Sequence, residues 1–296
     1  MSLPRTKNST GHLMALVTIL IWGTTFISTK ILLRSFTPIE ILFVRFVIGY
    51  LALLLLYPRR FRLQNVQTEW LFVGAGVSGI ALYYLLENIA LTFTTASNVG
   101  IIITLAPFFT ALLSAVFLEA EKPKKSFYLG FLTAIGGVAL ISFNGSTVEF
   151  NPMGDLLALL AAGAWSVYSI LTRKISQVNL PTIQTTRRVF LYGIIVMIPM
   201  LFLLDFNLKG SQFSSFTAVG NILFLGFGAS ALCFVTWNRA VALLGAVKTS
   251  VYIYLVPVVT VAASVLILQE PLTLILVLGT SLTLLGLWLS QTTWSK

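Results

Sequence analysis

The residues best suited to chemistry are few, and they stand in apolar surroundings. Glu87 sits in the middle of "YYLLENIAL" (83–91), and neither flank supplies a lysine or arginine to pair with it. A buried carboxylate has to be paired, hydrogen-bonded or functional, because an isolated buried charge is costly. Glu87 could therefore stitch helices together as half of an ion pair, hold a substrate ammonium group, or take up a proton. The bases in reach must come from elsewhere in the chain. Lys30, Arg45 and the acid Glu40 fall at comparable levels, so the expected partners of Glu87 are Lys30 and Arg45.

Two tryptophans and two prolines repeat the theme. Trp22 and Trp165 lie well inside apolar segments, about ten residues from each end, whereas membrane tryptophans favour the ends. A buried indole still seeks an acceptor for its N–H. Trp22 and Trp165 thus either line a cavity or pack in the core. Tyr83, Tyr84, Tyr168, Trp237, Tyr252 and Tyr254 add rings with polar tips, and Asn88 and Asn238 add amides. Pro107 in "TLAPFF" and Pro257 in "YLVPVV" each remove a backbone donor and free a carbonyl one turn earlier. They mark packing kinks, cavity-forming interruptions, or both.

Catalytic constellations are missing. His12 is the one histidine, which removes zinc-hydrolase motifs and a Ser-His-Asp triad from consideration. No GxxxxGK[ST] loop is present, so an enzyme, a cofactor and ATP-driven chemistry are not expected. Cys233 is the single cysteine, and an intramolecular disulfide is impossible.

These residues need a scaffold, and composition names its solvent. The 296 residues are 57% hydrophobic and 9% charged, with mean hydropathy +0.94. A soluble domain is nearer 25% charged, so lipid must cover much of this surface. Ten apolar segments are long enough to span, at 12–33, 38–57, 69–91, 96–118, 127–143, 154–174, 182–204, 216–243, 247–268 and 272–291; a span takes about 20 residues. The first is too long for a signal-peptide core. Continuous rather than alternating apolar runs exclude a strand-built barrel. The fold class is all-α integral membrane.

The net charge of +10 would suggest nucleic acid in a soluble protein, yet no basic run is interleaved with aromatics. The basic residues instead set orientation. With the N-terminus inside, Arg5, Lys7, Arg59, Arg60, Arg62, Lys122, Lys124, Lys125, Arg173, Lys174, Lys248 and Lys296 fall inside, and mainly Arg34 and Lys209 fall outside. Both termini are expected to be cytoplasmic, in a plasma or inner membrane. Glu87, four residues from the outer end of the third segment, lies about 6 Å deep at 1.5 Å per residue.

The chain repeats itself. At an offset of 143 residues Gly11 meets Gly154, Trp22 meets Trp165, Lys30 meets Arg173, Pro38 meets Pro181 and Arg45 meets Arg188. At an offset of 150, Asn88 meets Asn238, Ala96 meets Ala246 and Pro107 meets Pro257, while Glu87 meets Trp237. Gly130 meets Gly279. Five segments per half, an odd number, make the second half enter from the opposite side. The expected organisation is ten transmembrane helices as two inverted five-helix repeats, residues 1–143 and 144–296. That plan belongs to secondary transporters, whose substrate binds between the halves near the midplane. Toward the inner face Arg173, Lys174, Arg187, Arg188 and Arg239 gather with no acid among them, an arrangement that attracts carboxylates.

The stretches "LIWGTTFISTKI", "TPIEILFVRFVIGYLALLLL" and "IALTFTTASNVGIIITLAPFFTALLSAVFLEAE", with the second copy "NRAVALLGAVKTSVYIYLVPVVTVAASVLILQEPLT", resemble the EamA-type repeat of the drug/metabolite transporter superfamily. The resemblance covers nearly the whole chain. It implies a ten-helix inverted-repeat carrier with a central cavity, mostly an exporter of metabolites or amino acids. By position Trp22, Lys30, Arg45, Pro107, Arg188 and Pro257 carry over. Trp165-Ser166 departs from the usual tryptophan-glycine, and the acid after the fourth helix is Glu119 or Glu121.

The expectation is a carrier exporting a small amphipathic metabolite such as an amino acid by alternating access. The alternative is an exporter of drugs or organic cations. The expected substrate cavity is Trp22, Tyr83, Glu87, Asn88, Pro107, Trp165, Tyr168, Trp237, Asn238, Tyr252 and Pro257. The expected intramembrane charges are Lys30, Arg45, Arg188 and Arg239. A small-molecule substrate and membrane lipids are the expected partners, with no metal or nucleic acid; the oligomeric state stays open and is compatible with a monomer.

Overall fold

The structure, a computed structural model, describes residues 5–59, 66–118, 125–142, 152–178, 180–204 and 206–291. Arg60, Arg62, Glu119, Glu121, Lys122, Lys124 and Lys296 lie outside the described residues. Within them the chain is helical, with no strand. The helices are α1 (Arg5–Leu32), α2 (Pro38–Leu56), α3 (Val66–Phe93), α4 (Ala96–Phe117), α5 (Lys125–Ser142), α6 (Pro152–Ser176), α7 (Thr182–Leu203), α8 (Phe216–Leu244), α9 (Ala246–Leu268) and α10 (Leu274–Gln291). Eight of them are long and apolar enough to cross a membrane; α5 and α10 are shorter apolar helices. Exposed leucine and phenylalanine side chains such as Leu55, Leu56, Phe202, Leu203 and Phe216 cover the outside, as expected where lipid is the solvent.

Local chemistry sets the helix starts. Thr37 begins α2 with a capping box: its side chain accepts from the Glu40 N–H, and the Thr37 N–H donates to Glu40. Thr95 caps α4 by accepting from the Asn98 N–H. The sharp turn between α8 and α9 is made by Gly245, at φ 89°, a backbone conformation that glycine adopts at no steric cost.

Corresponding helices of the two halves are distorted alike. α3 is π-helical over Val77–Leu82 and α8 over Phe224–Leu232. α4 tightens to a 3₁₀ turn over Ile103–Leu105, just before Pro107, and α9 does so over Val251–Leu255, just before Pro257. Each proline then sits in the first turn of the α-helix that follows, where a missing N–H does no harm.

The halves interlock rather than sit side by side. α1 packs on α8 and α9, α6 packs on α3 and α4, and α2 packs on α7 and α8. α5 and α10 pair along their length. Their close approach depends on absent side chains: a Cβ on Gly130 would meet the Gly286 carbonyl oxygen at 2.4 Å, and one on Gly137 would meet the Gly279 carbonyl oxygen at 2.6 Å. The core is the space enclosed by α1–α4 and α6–α9, and its centre is aromatic.

Candidate functional site

Three indoles meet at that centre. The rings of Trp22 (α1) and Trp165 (α6) form a T-shaped pair at 5.1 Å, and Trp237 (α8) stands 5.1 Å from Trp22. Tyr83 lies 5.0 Å and Tyr168 4.9 Å from Trp165. Phe234 is in ring contact with Trp22, Trp165, Tyr84, Tyr168, Phe46 and Phe190. The pairs at these separations are edge-on or tilted, as the ring quadrupoles prefer. The Trp22 N–H donates to the Ala229 carbonyl at 2.9 Å. Ala229 belongs to the π-helical stretch of α8, and such stretches occur often at functional sites.

Beside this box lies a cavity of ≈ 30 Å³, bordered by Trp22, Tyr83, Tyr84, Glu87 and Trp165 among others. That is room for about one water molecule. Its lining residues are buried, so a molecule larger than water enters only if the rings move apart.

Glu87 borders the cavity and is 1% exposed; its Oε1 has no hydrogen-bond partner. The expectation that Lys30 and Arg45 pair with it is corrected here. Lys30 Nζ instead donates to the carbonyls of Leu91 at 2.5 Å and Thr94 at 2.7 Å, at the end of α3. Arg173, its counterpart in the second half, donates to the Ala242 carbonyl near the end of α8. Both bases therefore satisfy helix ends, which is where a cation is favoured. Arg45 is completely buried and makes no ion pair: Nε donates to Ser230 Oγ at 3.1 Å, and its guanidinium carbon lies 4.2 Å from the centre of the Tyr84 ring. Its charge and Tyr83 act on Glu87 without an ion pair being formed. Glu40 is also elsewhere, accepting from the Asn207 N–H and Gln212 Nε2 at 3.0 Å each. Since α3 ends at Phe93, Glu87 is six residues from the helix end, about 9 Å deep rather than 6.

The other expected residues divide. Trp22, Tyr83, Glu87 and Trp165 are brought together at the cavity, with Trp237 and Tyr168 stacked behind them. Tyr168 donates to Asn238 Oδ1 at 2.7 Å, and Asn238 Nδ2 donates to Thr186 Oγ1 at 2.9 Å. Asn238 and Arg239 border a second pocket of ≈ 180 Å³ with Thr172, Ser176, Thr182 and Thr185, near the end of α6 and the start of α7. Seven of the eleven residues expected to line it do not border the central cavity: Tyr168, Trp237 and Asn238, just described, and four more. Asn88 donates to the Pro38 carbonyl, Tyr252 is hydrogen-bonded to His12, Pro107 is buried in the first turn after the 3₁₀ segment of α4, and Pro257 faces an apolar groove against α10. Each proline instead follows the 3₁₀ turn of its helix.

A further correction concerns the basic group at the start of α7. Arg188 is paired with an acid: its Nε and Nη2 donate to Glu69 of α3 at 2.7 and 2.5 Å, and the Tyr192 hydroxyl also donates to Glu69. Arg187 donates to the Tyr57 carbonyl and, at 2.7 Å, to the Arg59 carbonyl. The opposite end is held by carboxylates. Glu270, in the α9–α10 connection, accepts from the Ala96 and Ser97 N–H groups and from Ser97 Oγ at 2.6 Å. Glu69, Glu270, Ser230 and Phe234 were not singled out by sequence. Glu69 lies at the very edge of the expected segment 69–91, and Glu270 carries only the signal of an acid following a proline-interrupted helix.

The EamA-like transporter family profile matches the chain twice, over residues 9–143 and 152–292. The chain belongs to the EamA-like transporter family. An uncharacterized transporter of Archaeoglobus fulgidus is 30% identical over 289 residues, covering 96% of this chain and 98% of the relative. A probable terminal-alkyne amino-acid exporter of Streptantibioticus cattleyicolor is 24% identical over 255 residues, covering 86% of this chain and 84% of the relative. A solved crystal structure superposes with a TM-score of 0.67 at 20% identity, over 96% of this chain and 97% of that one, and establishes likeness of fold. This EamA-like protein is a multi-pass membrane transporter and not an enzyme.

Proposed function

We propose that this transporter is an alternating-access exporter of amino acids or similar small amphipathic metabolites, with substrate bound in the aromatic box beside Glu87. The observation that carries this is a buried carboxylate with an unpartnered oxygen, walled by Trp22, Tyr83 and Trp165. An ammonium group is the ligand that completes such a carboxylate, and aromatic faces favour the same cation. The match to a relative named as an amino-acid exporter agrees with this reading.

All ten helices cross the membrane in this proposal, as two inverted five-helix repeats (1–143 and 144–296), with both termini cytoplasmic in the plasma membrane. The like placement of π and 3₁₀ segments in the two halves supports the repeat, as does the packing of α1 on α8 and α9 against that of α6 on α3 and α4. In this reading the small central box with polar contacts at both ends corresponds to the occluded intermediate of alternation. An exporter of organic cations is the second reading, favoured by the same carboxylate and rings.

Counterflow in proteoliposomes tests the proposal. Preloaded unlabelled amino acid should accelerate entry of its labelled form, and Glu87→Gln should abolish this acceleration. Trans-acceleration by monoamines alone would move the assignment to organic cations. Equal counterflow in wild type and Glu87→Gln would remove Glu87 from the site.

A further inference from the structure

One charge in the core is left without a counter-charge. Arg45 is completely buried, yet its Nη1 and Nη2 have no hydrogen-bond partner. Only Nε is used, on Ser230, and the guanidinium carbon lies over the Tyr84 and Phe46 rings, 4.2 and 5.2 Å from their centres. Leaving buried donors of a charged group unsatisfied is among the costlier faults a protein can carry. A guanidinium held edge-free in this way presents the planar fork that matches a carboxylate. The support is also specific: Ser230 lies in the π-helical stretch of α8, and its neighbour Ala229 orients Trp22.

Other orphan groups agree. The buried indole N–H groups of Trp165 and Trp237 have no acceptor, so unsatisfied donors outnumber the single unsatisfied carboxylate oxygen of Glu87. Tyr84 belongs to both surroundings: it borders the cavity with Glu87, and its ring lies under the Arg45 guanidinium at 4.2 Å. An ammonium alone would satisfy Glu87 and leave every donor unmet. A molecule carrying an ammonium and a carboxylate a few ångströms apart would satisfy both ends once Tyr84 swings aside.

We propose that Arg45, braced by Ser230, is the anion-binding pole of the transport site, so that the carrier selects zwitterions over monoamines. This rests on the reading of the aromatic box as the site. The test uses the purified full-length protein and two matched sets of probes: L-phenylalanine, phenethylamine and 3-phenylpropionate, then L-leucine, isoamylamine and 4-methylpentanoate. Affinities are read by calorimetry. In at least one set the amino acid should bind about tenfold or more tighter than its amine, the scale of a charge-assisted hydrogen bond. Arg45→Gln should bring that ratio close to one by weakening the amino acid and not the amine, and Arg45→Lys should recover only part of it. A merely structural arginine would weaken amine and amino acid together. Should Arg45→Gln not fold, Ser230→Ala and the wild-type ratio carry the test. Amines binding as tightly as amino acids would overturn the anion pole and leave the aromatic site standing. Absence of binding by every probe would overturn both.

Discussion

The pair Arg188–Glu69 joins α7 to α3, and so joins the second half of the chain to the first. If the halves separate at this end during transport, the pair must break. Its geometry is two-pronged, at 2.7 and 2.5 Å, and its side chains are 24% and 22% exposed. That exposure calls for a discount from the value of a fully buried pair, giving about 1–2 kcal/mol. An equilibrium shifted by that amount changes about 5- to 30-fold. Glu69→Gln should therefore raise the population open at this end by roughly that factor. Arg188→Gln should do less, because Tyr192 still donates to Glu69. The assay is labelling of a cysteine placed at Thr185, which borders the pocket at this mouth, in a background where the buried Cys233 is replaced by alanine. With the proposed orientation this mouth is cytoplasmic, so inside-out vesicles and a membrane-impermeant maleimide report the open fraction as a rate. The charge swap Glu69→Arg with Arg188→Glu should slow labelling again. Unchanged rates in both single variants would refute the idea that the pair clasps this mouth.

Other perturbations have defined outcomes. Glu270→Gln removes the charge that receives three donors at the start of α4; it should lower thermal stability by about 1–2 kcal/mol and raise labelling of a cysteine placed near Ser97 from the other side of the membrane. Gly286→Ala sets a Cβ 2.4 Å from the Ala134 nitrogen and 2.5 Å from the Gly130 carbonyl oxygen. Backbone cannot yield as a side-chain tip can, so α5 and α10 should part, at a cost of about 1–3 kcal/mol in thermal unfolding. Gly163→Ala, where nothing lies within 4 Å of the added carbon, is the matched control and should be neutral or stabilising by a few tenths of a kcal/mol. Tyr168→Phe should cost about 1 kcal/mol, because it strips Asn238 Oδ1 of its donor.

The helices were legible because a bilayer imposes a length and a polarity that few other sequences imitate. The expected 182–204 and 216–243 differ from Thr182–Leu203 and Phe216–Leu244 by a single residue at one end each. The aromatic centre was legible through the Trp22–Trp165 match, since a rare residue kept at one offset in both halves points to a shared place. Charges were harder. Depth along a helix gives level but not azimuth, and Lys30, Arg45 and Glu87 at similar levels point to different neighbours. Lys30 turns to the open carbonyls of α3, which no pairing of opposite charges would suggest. Glu69 and Glu270 escaped because each sits at a helix boundary, where an acid reads as ordinary solvation. Ser230 escaped because π-helical geometry has no residue signature, and it is that geometry which aims Ser230 at Arg45.

The two ends and the middle form one device. Glu69–Arg188 and the Arg187 contacts hold the mouth where α3 and α7 begin. Glu270 on α4, and Glu40 on the α7–α8 connection, hold the other. Between them the box has room for about one water, so a larger molecule reaches it only after the rings and one set of these contacts move. A carrier of this design must have its clasps weakened by what it binds, because a ligand moves an equilibrium only by its differential affinity for the two states. Trp22 is placed for that coupling: its ring packs against Trp165 and Trp237 while its N–H holds Ala229 in the π-helical stretch. In the proposed mechanism a substrate that displaces these rings loads the α1–α8 contact, and the Ser230–Arg45 hydrogen bond connects α8 to α2. Trp22→Phe keeps a ring and loses the N–H, so it should leave substrate affinity within about threefold and slow counterflow by about tenfold, the loss of one buried hydrogen bond being worth about 1–1.5 kcal/mol. Affinity lost in the same proportion as rate would place Trp22 in binding alone and break the proposed link between the box and the clasps.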